Sequence, residues 1–396
     1  MSTSARSSRW SVLVAYALVA IASQVLWLTY APVATVAADQ YHVSLGAIGW
    51  LTNTSQLLYV VLAVPVGLLL DRAFRTTLAA GAVLSAVGGV VRLIGDNFAW
   101  ALTGQTLAAI AQPLILSAIT KVAHEYLDEE GRTLGIAMGT CSITVGQLLA
   151  FALGAVFSRA DQLPLLVGTG ASMSVLAAVV LVVALRRPSM YPSGAVAAGF
   201  GSVRSVWGDT SIKLLCGAVF IGFGIYIATT TWLEALLQPA GVDAASSGML
   251  LVVMLIAGVV GAISLPSRIT KRGKESSLMC AAAMTTSFAA FALAIYPGFG
   301  VGMVALAGVG LLNLAALPVI LEIAERRAAQ AEGAAASMIW MAGNAGGLVV
   351  TLLVGLLTGE PSTAFLLIGV IALAEVPLVL ALRRESAAVV TLPSAT

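Results

Sequence analysis

The sequence predicts an all-α membrane protein of twelve transmembrane helices, arranged as two six-helix halves with both termini cytoplasmic. Three observations lead there. Of 396 residues, 59% are hydrophobic and only 10% charged, with a mean hydropathy of +1.00, whereas a soluble domain carries about 25% charged residues. Apolar runs near the roughly 20 residues that cross a bilayer core follow one another along the whole chain. Basic residues also fall almost wholly on alternate loops, which orients such a chain.

The first run, 11–38, follows Arg6 and Arg9; no small-residue cleavage site comes after it, so it reads as a retained span. Spans 47–70, 76–95, 98–123, 133–158 and 164–185 complete the first half, and 213–237, 248–267, 277–296, 299–323, 335–358 and 363–382 form the second. With the N-terminus inside, all of the 20 Lys and Arg except Arg92 and Arg159 lie on the inner side. The stretch 186–212 is rich in Pro, Gly and Ser. It divides the chain into an N-terminal half (1–185), a cytoplasmic linker, a C-terminal half (213–384) and a short tail (385–396). A faint echo, "VSLGAIGWL" at the second span and "DAASSGMLL" at the eighth, suits a carrier built from repeats. A multi-pass protein of the cell membrane is expected, with the lipid bilayer and a small-molecule substrate as its partners.

Several classes are excluded. A net charge of +2 without a basic tract argues against nucleic acid. Cys141, Cys216 and Cys280 lie in apolar stretches without CxxC spacing, so neither a disulfide framework nor a metal site is expected. No paired acids or nucleophile–base pair suggests an enzyme, and no cofactor is implied. A monomer is expected.

After the second span, "GLLLDRAFR" places Gly67, Asp71, Arg72 and Arg75 at the spacing of the G-x-x-x-D-R-x-x-R signature of the major facilitator superfamily. A carboxylate there can pair with arginines or with a helix N-terminus and act as a conformational latch. Read plainly, the same residues are interfacial charges. The corresponding loop of the second half, "RITKRGK", has no acid.

Polar side chains inside spans face the bundle interior or a cavity. The first span offers Gln24, Trp27 and Tyr30 on one face, the second Asn53 and Gln56, the fourth Gln105 and Gln112, and the fifth Gln147. The second half offers Tyr226, Thr229 and Trp232, then Asn313, Trp340 and Asn344. Each amide reads equally as interhelical glue. Trp50, Trp100 and Trp232, near span ends, read as interfacial anchors. Glu375 is the single deep acid and a candidate proton site. An aromatic, amide-rich pocket suits a quaternary ammonium, held by ring faces at about 0.5–2 kcal/mol each, and equally a neutral aromatic solute. The competing functions are thus a facilitative carrier of a small organic cation, a proton-coupled exporter of drugs or metabolites, and a receptor that no longer transports.

The run "WLTYAPV…YHVSLGAIGWL…LLYVVLAVPVGLLLDR", with "GQTLAAIAQPLIL" and "VGQLLAFALG", resembles the feline leukaemia virus subgroup C receptor carriers. The likeness is clearest over 20–155 and thins to "GIYIATT" and "EGAAASMIWMAGNAGG" in the second half. It implies the major facilitator fold and a choline-like substrate, with haem as an earlier association of that family. It also implies that Trp27 and Tyr226 cage an ammonium beside Gln147, in a central cavity between the halves. The family's second glutamine is Asn344 here, and Trp340 replaces a small polar residue.

Overall fold

A computed structural model describes residues 9–191, 207–328 and 332–391. The side chain of Asp71 and linker residues 192–206 lie outside the described residues. Every regular element among the described residues is helical. Eleven helices among the described residues are long and apolar enough to cross a membrane. The chain divides into two compact units, Met1–Ala197 and Ala198–Thr396.

The first unit opens with α1 (Trp10–Leu28), broken ahead of Pro32, and α2 (Ala34–Tyr41). Proline has no N–H and disfavours helix in the residue before it, so the break falls where the sequence puts Pro32. Next comes α3 (Leu45–Val91), 47 residues long. At 1.5 Å per residue that is about 70 Å, roughly twice a bilayer core. Non-helical torsions at Ala73 (φ −145°, ψ 57°) split it into two arms. The unit continues with α4 (Phe98–Leu116), α5 (Ile119–Tyr126), α6 (Glu129–Val156) and α7 (Leu163–Ala184). The fourth apolar run is therefore interrupted at Ser117, and the short α5 follows it.

The second unit comprises α8 (Thr210–Leu237), α9 (Ala244–Ser264), α10 (Pro266–Thr270), α11 (Glu275–Ile295), α12 (Phe299–Ala328) and α13 (Glu332–Gly355). The last apolar run is broken at Ala374 into α14 (Pro361–Leu373) and α15 (Glu375–Thr391).

Short polar side chains start many of these helices. Ser44, Asn97, Asp128, Asp209 and Asp243 each accept a backbone N–H of the first turn. Those N–H groups otherwise lack partners. At the other end of α7, Arg75 donates through Nε to the Leu185 carbonyl at 3.0 Å and through its terminal nitrogen to the same oxygen. A cation suits a helix C-terminus.

One packing device recurs in both units. A Cβ on Gly146 of α6 would lie 2.6 Å from the carbonyl oxygen of Ile21 in α1. A Cβ on Gly346 of α13 would collide with the carbonyl oxygen of Phe220 in α8. In each unit, then, the first long helix and its later partner touch backbone to backbone, which only glycine permits.

Candidate substrate-binding side chains in each unit

In the first unit Gln24, Trp27 and Tyr30 are all buried, and so are Asn53, Gln56, Gln112 and Gln147. Gln147 donates through Nε2 to Gln24 Oε1 at 3.4 Å, joining α6 to α1. Gly146, next in sequence, brings these helices close enough for that bond. Among the described residues Gln24 Nε2, Trp27 Nε1, Asn53 Oδ1 and Gln56 Nε2 have no hydrogen-bond partner. Buried polar atoms are nearly always satisfied, so this face of α1 and the first arm of α3 is chemically open to water or a ligand group.

Tyr30 belongs to a different set. Its hydroxyl lies 3.3 Å from that of Tyr41, the rings stand edge to face, and the Arg92 guanidinium sits 5.9 Å from its centroid. Arg92, expected in an outer loop, is instead buried. Its guanidinium reaches inward to the backbone of α1, donating to the Leu26 carbonyl at 2.8 Å. Arg159 is exposed and paired with Asp161 at 3.2 Å.

In the second unit Tyr226 and Trp340 are joined through Phe223, a residue the polar pattern did not single out. Phe223 lies 5.8 Å from the Tyr226 ring and 5.9 Å, edge to face, from that of Trp340. Its three-residue step from Tyr226 is the signal that could have found it. Asn344, buried in α13, turns its Nδ2 back to the Trp340 carbonyl at 2.8 Å. Trp232 is buried rather than interfacial, and its Nε1 donates to the Thr351 carbonyl at 2.8 Å. Trp50 and Trp100 are exposed, as anchors would be.

A narrow cavity within the second unit is lined by Gly222, Tyr226, Thr229, Met254 and Asn313. Asn313 is committed there, donating to Thr286 Oγ1 at 2.7 Å and to the Val309 carbonyl at 3.1 Å. Glu375, the first residue of α15, is buried, and its carboxylate lies 3.4 Å from where a Gly222 Cβ would stand. Gly222 is one turn from Tyr226 on α8. No basic side chain forms an ion pair with Glu375 among the described residues.

Of the expected latch residues, Gly67 has open space where a Cβ would stand, Arg72 is exposed and Arg75 holds Leu185. In the second unit, where "RITKRGK" has no acid, Arg326 of α12 pairs with Glu322 at 2.7 Å and Glu275 at 3.9 Å.

The helices, the internal repeat of packing and the "GLLLDRAFR" bend all point one way, and residues 12–351 match the model of the Major Facilitator Superfamily. The chain belongs to this superfamily. It is a multi-pass integral membrane protein with a transporter fold. This superfamily member is 27% identical over 388 residues to solute carrier family 49 member A3 of Xenopus tropicalis, across 90% of this chain and 79% of that one. The choline/ethanolamine transporter FLVCR2 of Homo sapiens is 23% identical over 281 residues, covering 64% of this chain and 53% of that protein. Among solved structures, a bacterial homologue of the human lysosomal transporter Spinster, inward-facing and occupied, superposes with a TM-score of 0.74 at 14% identity, over 95% of this chain and 97% of that one. A point mutant of the nucleoside transporter NupG gives 0.71 at 14% identity, over 94% and 99%.

Proposed function

We propose that this protein is a facilitative carrier of a small organic cation of the choline type, working by alternating access. The observation that carries this reading is the ring group of Tyr226, Phe223 and Trp340 in the second unit. Trp27, with its open indole N–H, has the matching role in the first. Ring faces attract an ammonium through their quadrupoles, and the amides of Gln147 and Asn344 are suited to a hydroxyl. The name of the human relative, a choline/ethanolamine transporter, supports the same class. The proposal includes a twelfth span formed by residues 47–70, cytoplasmic termini, two halves joined by the 186–212 linker, and a monomeric protein.

The test is thermal shift of the purified protein with choline, ethanolamine and betaine, and with the neutral tert-butyl isostere of choline as control. A ligand at about 100 times its Kd stabilises by roughly 2.7 kcal/mol. Choline should raise the Tm more than its isostere. An equal shift would reduce the cage to an apolar pocket, and no shift with any of the three amines would remove the substrate class.

The latch remains part of the proposal. Asp71→Asn should slow transport and leave Kd nearly unchanged, because residue 71 sits at the Ala73 bend, far along α3 from the open polar atoms of Asn53 and Gln56. An affinity loss of about tenfold in a normally expressed variant would refute it.

One observation favours a second reading. A buried carboxylate without a cation partner is least costly when protonated, and Glu375 packs on Gly222, one turn from Tyr226. That is what a proton-coupled exporter would need.

A further inference from the structure

The end of α1 is held by a buried clamp. Arg92, at the C-terminal end of α3, donates through Nη1 to the Leu26 carbonyl at 2.8 Å and to Thr29 Oγ1 at 3.4 Å. Its Nη2 donates to Gln105 Oε1 of α4 at 2.5 Å, and Gln105 Nε2 in turn donates to the Trp27 carbonyl at 3.4 Å. Thr29 completes the turn by bonding back to the Val25 carbonyl at 2.7 Å. Among the described residues no carboxylate forms an ion pair with Arg92.

Burying a guanidinium is costly unless its donors are used. Here Nη1 is used on the Leu26 carbonyl and Thr29 Oγ1 and Nη2 on Gln105 Oε1, while Nε has no partner among the described residues. The carbonyls of Leu26 and Trp27 belong to the last turn of α1, where intrahelical partners run out and the helix dipole is negative. A planar fork can satisfy a carbonyl and an amide at once; an ammonium on a flexible stem cannot hold both in fixed geometry.

We propose that Arg92 and Gln105 are positioning residues, which fix the backbone of residues 26–29 and so set the direction of the Trp27 side chain. For substrate binding this rests on the proposed role of Trp27. The backbone part stands independently of it.

Gln105→Glu separates this from a packing role. The new carboxylate still accepts from Arg92, more strongly than before, but has no N–H for the Trp27 carbonyl. Arg92→Lys keeps the charge and loses the fork. Hydrogen exchange of the full-length protein, read on the peptide covering residues 25–34 without any ligand, should rise about fivefold in each variant, as expected for one lost hydrogen bond. Exchange in α6 should stay unchanged and the Tm of Gln105→Glu should hold. Where choline binds the wild type, its Kd should weaken severalfold in Gln105→Glu. Unchanged exchange in both variants overturns the clamp, as does a rise spread equally over α6, which would mean general loosening. A wild-type protein that does not bind choline would fail the substrate reading alone, because the exchange measurement uses no ligand.

Discussion

Trp27 and Trp232 are both buried, yet their indole N–H groups differ. Trp232 commits its donor to the Thr351 carbonyl and packs against Gly355. Trp27 has no acceptor for its own among the described residues. The first is fully used by packing, whereas the second retains an unused donor and a ring face. Trp27→Phe should therefore keep more choline affinity than Trp27→Leu, which has bulk without a quadrupole. The Leu variant should lose roughly 0.5–2 kcal/mol, about 2- to 30-fold in Kd by titration calorimetry. Equal losses in both would mean that the ring face is not used. At this scale the sequence revealed polar and aromatic groups inside spans, because lipid makes them anomalous. It did not reveal Phe223, which has no such anomaly. Nor did it reveal the burial of Arg92, because a charge near a span end looks the same whether it enters water or turns back onto a carbonyl.

Among the elements, α9 shows how a helix start is written in the chain. Asp243 accepts from Ser246 N at 2.8 Å, and its bonds to Ser246 hold its carboxyl below the ordinary 3.8. Asp243→Ala should cost about 0.5–2 kcal/mol, seen as a lower Tm, while Asp243→Asn should cost less. The sign with pH follows from the lowered value. The stabilisation is complete above the unfolded-state value and is lost as pH falls through the lower folded one. Because the group is largely exposed, solvent screens much of the effect; the acid-limb difference between wild type and Asp243→Asn should be small and present only below about pH 4. Glycine seams give larger effects. Gly146→Ala and Gly346→Ala should each cost about 1–3 kcal/mol through overpacking. Gly168→Ala, with nothing within 4 Å of its new Cβ, should be neutral or stabilising by the same thermal measurement. Apolar length and turn chemistry made most helices legible. The bend at Ala73 was not, since it is a backbone event at a residue with an unremarkable side chain, whereas the break at Ala374 lies ahead of Pro377, which cannot bond back to the Leu373 carbonyl.

For the molecule as a whole, the open matter is what drives transport. Under the proposed reading, uptake into proteoliposomes persists without a pH gradient, and Glu375→Gln stays active. Loss of transport on collapsing the gradient, together with an inactive Glu375→Gln, would favour proton coupling. Membrane architecture was readable early because so few residues are charged. The packing of Glu375 on Gly222 was not, because that neighbour is distant in the chain and has no side chain to betray the contact. The paired seams have a mechanical consequence. Where two helices meet carbonyl against glycine, a slip of one past the other would drive a neighbouring side chain into the backbone. Each pair therefore resists sliding at its seam, so its two helices are constrained to move together.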